Sequence, residues 1–270
     1  MTITTVDAFT DRPFAGNPAA VCVLDAEAPA DWMQALAREM NLSETAFLVP
    51  AGGDWALRWF TPELEIDLCG HATLASAHVL YESGRLADGD VARFDTRSGR
   101  LTVRQHEGAY VMDFPATPPS PAEVPGLTDA LGLSLRWTGR SRFDVFAVAE
   151  SEAAVRGFAP DHAAIAALDA RGVILTAQAA DATRRQSGVD VVSRFFAPGS
   201  GVPEDPVTGS AHCAIGPYWG EVLDTDTLSC VQASARGGHL RVRVRGDRVD
   251  LTGSAVTIYR ADLAPAACHV

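Results

Sequence analysis

Two short runs in this sequence carry residues suited to acid–base chemistry. Asp67, Cys69 and His71 surround Gly70, while Glu204, Asp205 and His212 flank Gly209 and Ser210. Each glycine opens a run, GHATLASAHVL or GSAHCAIGPYW, that is small or apolar nearly all round. A helix without a polar face is buried. Where such a helix starts at an open cleft, it presents unpaired N–H groups and a partial positive charge. That arrangement suits a carboxylate or an enolate-like oxyanion. The backbone donors selected by this reading are Gly70, Gly209 and Ser210. Another acid, Glu44, lies in NLSETAF between a helix end and a strand; by spacing alone it reads first as an exposed loop acid. Asn17, in GNP after the first strand, reads equally as a turn residue and as a polar contact across the cleft.

The elements that must position these residues come in two copies. Arg58-Trp59-Phe60-Thr61-Pro62 reappears as Arg194-Phe195-Phe196-Ala197-Pro198, 136 residues later. Gly70 and Gly209 are 139 apart, as are Gly99 and Gly238, Leu101 and Leu240, Val103 and Val242. An offset near half the chain, held at several landmarks, implies a duplicated domain. Each copy reads as a strand and helix (19–24 and 29–39; 143–149 and 160–168) and then two strands. The Gly-started helix follows, at 70–82 or 209–222, with alternating strands to close. The expected fold class is α/β (α+β): two similar halves, each a curled, mostly antiparallel sheet around a central buried helix. The halves are expected at 1–116, joined by the C-terminal segment 255–270, and at 117–254, with the active site in the cleft between them. The Pro-rich stretch PATPPSPAEVP, 115–125, is the natural linker.

Composition removes whole classes of function. All 22 basic residues of the 270 are Arg. With no Lys, an internal aldimine, a Schiff-base aldolase and a lysine-dependent P-loop are excluded. A net charge of −12 is the wrong sign for nucleic acid or an anionic membrane surface. Arg241, Arg243, Arg245 and Arg248 alternate with valines as the solvated face of a hairpin. No apolar run reaches a membrane span and no leader is evident, and the five cysteines are scattered without a CxxC. A cytoplasmic protein with reduced thiols is expected. His71 and His78 are seven apart, where metal-binding helices more often use three or four, and no third ligand has suitable spacing. No metal is therefore expected, and His78 reads as a core histidine.

The segments VDAFTDRPFAGNPAAV, MNLSETAF, RWFTPELEIDLCGHATLASAHVL and EDPVTGSAHCAIGPYW resemble the phenazine-biosynthesis isomerase family, PhzF. The resemblance runs from residue 3 to beyond residue 250. It implies the diaminopimelate-epimerase fold, a homodimer, no cofactor, and isomerisation by moving a proton along a conjugated system. It carries the catalytic roles onto Glu44, His71 and Asp205, with a small-molecule carboxylate as substrate. Two other functions compete. One is a Cys69-dependent epimerase or dehydratase of an amino or hydroxy acid, because CGH resembles the first thiol motif of the epimerase and proline-racemase relatives. The second copy, however, has Thr208 where the first has Cys69. The other is a non-catalytic binding protein on the same fold.

Overall fold

The computed structural model of the chain describes residues 1–268 and divides into two compact units. The first comprises Met1–Asp113 with the chain from Thr252 onward, the second Phe114–Leu251.

In the first unit β1 (Thr2–Ala8) lies antiparallel between β2 (Asn17–Val23) and a returning C-terminal strand, Ala255–Asp262. A helix, α1 (Ala30–Met40), then leads to β3 (Glu44–Ala51), which runs parallel to β2. Its apolar stripe of Met33, Leu36 and Ala37 packs on Cys22, Phe47 and Phe60. The chain reverses into β4 (Asp54–Phe60) and the short β5 (Glu65–Ile66), then enters α2 (Gly70–Glu82). Every residue of α2 from His71 to Tyr81 is buried, as its all-round apolar surface requires. Beyond it β6 (Val91–Thr96) pairs parallel to β4, followed by antiparallel β7 (Gly99–His106) and β8 (Ala109–Pro115).

The second unit repeats this plan. A short β9 (Ser120–Pro121) and α3 (Leu127–Leu131) precede β10 (Leu135–Arg140) and β11 (Val145–Ala149). After α4 (Glu152–Gly157) and α5 (His162–Ala166), β12 (Val173–Gln178) runs parallel to β11. Then come α6 (Asp181–Ser187), β13 (Val191–Ala197), β14 (Val202–Asp205) and the buried α7 (Gly209–Val222). β15 (Thr227–Gln232), β16 (Gly238–Arg245) and β17 (Arg248–Gly253) follow, ahead of the returning strand β18 (Ala255–Asp262). The pairing sequence β2–β3 parallel, β3–β4 antiparallel, β4–β6 parallel, β6–β7 antiparallel recurs as β11–β12, β12–β13, β13–β15 and β15–β16. A part-buried ion pair is duplicated as well: Arg58 forks onto Glu65, and Arg194 forks onto Glu204.

Two local departures from the sequence reading have clear causes. The helix expected at 160–168 is the shorter α5, and the acidic stretch read as a loop before it carries an extra short helix, α4, which Pro160 keeps separate because it disfavours helix at the residue before it. Ser151 and Asp161 cap the two starts. The Pro-rich stretch is also strapped rather than free. Pro217 sits inside α7 with no N–H to give, so the Cys213 carbonyl accepts from Thr117 N–H at 3.0 Å instead. Ala116 and Ala122 are similarly tied to Asp247 and Thr138. Among the described residues no helix is long and apolar enough to cross a membrane.

Candidate active site

The loop ahead of β2 delivers Asn17 through a turn that only glycine fits. Gly16 has φ +66°, and a Cβ there would lie 2.2 Å from the Ala8 carbonyl oxygen. Asn17 then opens β2 fully buried, and its amide nitrogen lies 3.0 Å from Nδ1 of His71. Glu44 opens β3 opposite Ala19, so the parallel pairing of β2 and β3 sets both side chains at one sheet end. Glu44 is not an exposed loop acid: its side chain is 13% accessible, with Oε2 2.9 Å from His71 Nε2. His71, the second residue of α2, is thus gripped on both ring nitrogens by the heads of two strands. The Asn17 amide can meet either protonation state, donating to a neutral Nδ1 or, once turned, accepting from a protonated one.

Burial and the neighbouring groups shift this cluster in opposite directions. Burial pulls the His71 imidazole down, but the adjacent Cys69 and Glu44 outweigh it and hold it well above its ordinary 6.5. Burial, reinforced by the Glu44 carboxylate, pushes the Cys69 thiol up to about 11. The thiol is therefore neutral at pH 7, which leaves Glu44, 2.9 Å from the ring, as the acidic partner of His71. Cys69 is the N-cap of α2, its Sγ 3.6 Å from His71 Nδ1, while its carbonyl accepts from the Thr73 hydroxyl at 2.5 Å. Donor atoms of Glu44, Cys69 and His71 all lie within 4.8 Å of one another, a set that could hold a metal such as zinc once the thiol lost its proton. His78, further along α2, bonds Tyr110 and Thr257 as a satisfied core histidine.

The second unit carries a different set at the equivalent helix start. Thr208 is the N-cap of α7 and donates its hydroxyl to Asp205 Oδ2 at 2.5 Å. Gln232 braces the turn, accepting from Thr208 N–H at 2.8 Å and donating to the Asp205 carbonyl at 2.7 Å. His212 is fully buried, with Nδ1 2.8 Å from the Thr208 carbonyl, the place Thr73 takes in α2. Burial pushes it down to about 4, so it is neutral. Glu204 is held by Arg194, and Asp67 in the first unit is exposed beside Arg97. Gly209 is buried and Ser210 half-buried at the head of α7, with the Ser210 hydroxyl accepting from Arg171 at 3.1 Å. Arg171 and its partner Asp144 escaped the sequence reading. No motif surrounds either, and only the parallel register of β11 and β12 joins them.

The model of the family described as phenazine biosynthesis-like protein, PhzC-PhzF, matches residues 6–261. The chain belongs to that family. An uncharacterized isomerase of Halalkalibacterium halodurans is 46% identical over 260 residues, covering 96% of each chain. Relatives of this kind place the PhzF-family chain among the isomerases. A PhzF-family phenazine biosynthesis protein of Enterococcus faecalis superposes with a TM-score of 0.90 at 44% identity, covering 97% of this chain and 99% of that one. A probable proline racemase from Agrobacterium radiobacter, at 12% identity, superposes at 0.63 over 98% of this chain and 93% of its own, sharing the fold. The fold of this PhzF-family chain is therefore the diaminopimelate-epimerase-like one.

Proposed function

We propose that this PhzF-family chain is a cofactor-independent isomerase that moves a proton on a small carboxylated substrate, with Glu44 as the shuttle. The observation that carries the reading is the buried contact of Glu44 Oε2 with His71 Nε2, backed by Asn17 on the other ring nitrogen. A carboxylate can take a proton from carbon, leaving the electron pair delocalised in the substrate, and return the proton to another carbon on the same face. While Glu44 carries that proton, the His71 imidazole stays held by the Asn17 amide, which suits either protonation state, until the proton is returned to carbon. In the same proposal Asp205 holds a polar substituent of the substrate, and the N–H groups of Gly70, Gly209 and Ser210 take its carboxylate.

A thiol-based epimerase is supported less well. Two-base chemistry wants an acid–base group at both helix starts. At the position equivalent to Cys69 the second start has the Thr208 hydroxyl, already given to Asp205, and the first has a thiol that burial keeps neutral.

The test is a small-molecule extract incubated with the protein in deuterated water and read by mass spectrometry, first to find the carboxylic acid that gains a deuteron. Glu44→Gln keeps the shape and removes the exchangeable charge, so deuterium incorporation should fall about 10²–10⁴-fold. Incorporation at the normal rate in that variant would overturn the mechanism.

A further inference from the structure

The two units present the same three-cornered arrangement in different chemistry. In the first, Asn17 and Glu44 at the heads of parallel β2 and β3 hold His71, the second residue of α2. In the second, Asp144 and Arg171 stand at the heads of parallel β11 and β12, and Arg171 reaches Ser210, the second residue of α7. An acid–base corner has become a cationic one.

Arg171 is immobilised with care. Its Nε and Nη2 donate to Asp144 Oδ1 and Oδ2 at 2.8 and 2.6 Å, and that carboxylate is 2% accessible. The guanidinium lies 5.1 Å from the Phe143 ring and 5.7 Å from that of Phe195. Nη2 also donates to Ser210 Oγ. A hydroxyl that accepts from a guanidinium keeps its own proton to donate elsewhere. None of these contacts uses Nη1, and the Arg171 side chain is 42% accessible. A carboxylate buried under a half-exposed guanidinium is a poor device for stability, since well-packed apolar residues do as well. As a device for aiming one hydroxyl and one guanidinium edge, it has a rationale.

We propose that Arg171 is a specificity-determining positioning residue: it fixes Ser210 as a hydrogen-bond donor and biases the site towards substrates bearing a carboxylate. This rests on the assignment of Ser210 to substrate binding made above, and it goes further by naming the residue that makes Ser210 read charge. Asp144 acts through Arg171, as Asn17 acts on His71 in the other copy.

Benzoate is the probe, with benzamide as its neutral counterpart, titrated into the full chain and followed by NMR. Wild type should favour benzoate over benzamide. Arg171→Gln should cut benzoate binding at least about tenfold and leave benzamide unchanged, because charge-assisted bonds are the strong ones. The paired variant Arg171→Gln/Asp144→Asn, which buries no lone charge, should lose the preference equally, and Arg171→Lys should restore it in part. Arg243→Gln, which removes an equal charge from the exposed face of β16, should do nothing. An unchanged benzoate-to-benzamide ratio in the folded paired variant, or no preference in wild type, would overturn the proposal. Once a substrate is identified, the loss should fall on KM rather than kcat. Glu44→Gln separates the two readings: normal turnover there sinks the shuttle, while the carboxylate preference is tested independently.

Discussion

Arg194→Met should destabilise the second unit by about 4 kcal/mol, and the figure follows from what the guanidinium holds. Its Nε and Nη2 fork onto Glu204 at 2.7 and 2.9 Å, and Nη1 donates to the Phe158 carbonyl at 2.5 Å. The side chain is 10% accessible, wedged against the Phe196 and Phe158 rings. Removing one partner of a buried pair costs about 3–5 kcal/mol; Glu204 is 20% accessible, so about 3 kcal/mol is the share for this one. The orphaned Phe158 carbonyl adds about 1 kcal/mol. Methionine fills the stem's volume, so no large cavity term enters. At about 2–4 °C per kcal/mol for a domain of this size, the transition should drop by about 8–16 °C. Urea and thermal unfolding measure it, with Arg194→Met/Glu204→Gln closing a double-mutant cycle. The pair should recover about 2 kcal/mol relative to the single variant, since the lone carboxylate is then gone. A single-variant loss under about 1 kcal/mol, or strict additivity in the cycle, would refute the reasoning. Glu204 adjoins Asp205, so turnover should fall in both variants.

Cys69→Ala should keep most of the activity, and iodoacetamide should react slowly, because the thiol is neutral and 5% accessible; rapid alkylation that substrate blocks would instead assign the chemistry to sulfur. Turnover should survive EDTA, whereas added zinc should inhibit by seizing Glu44, Cys69 and His71, with Cys69→Ala at least about tenfold less sensitive. His212, pushed from 6.5 down to about 4, makes the unfolded chain the better proton binder. Its stabilisation is thus complete above about pH 6.5 and fades towards pH 4, by about 3 kcal/mol. Unfolding measured across that window should show a flatter slope in His212→Asn. His71 has the opposite sign: raised when folded, its contribution is full below about pH 6.5 and is lost as pH climbs through the raised value.

The buried helices were legible because burial leaves a mark on every residue of a run. GHATLASAHVL has no polar face to offer solvent, and the chain accordingly buries it from His71 to Tyr81. Closing strands were legible for the same reason, with period-2 alternation surviving as Arg241 out, Val242 in, Arg243 out. The short helix α4 was missed because its acidic stretch reads as a loop between the strand and the AAIAAL helix. Glu44 shows a harder limit. Its neighbours say turn, and nothing local reports that β2 will lie alongside and bring His71 to 2.9 Å. Arg171 and Asp144 show the same limit without any motif to compensate, for 27 residues separate them and only a parallel pairing joins them.

That limit follows from how duplication works on a fold. Strand order and the buried helix are set by apolar pattern, which both copies must keep to retain a core, so the 139-residue register persists in the landmarks. The corner where two strand heads meet the second helical residue is under no such constraint. It is polar in both copies, yet each partner needs only to satisfy the others. Asn17, Glu44 and His71 satisfy one another around an imidazole, a group that can gain or lose a proton. Asp144, Arg171 and Ser210 satisfy one another through a guanidinium that cannot lose its proton. One copy thus carries titratable groups at this corner and the other a fixed cation. On the proposed shuttle reading, a proton returned on the face it left needs a single acid–base corner, so a second copy of it would add nothing.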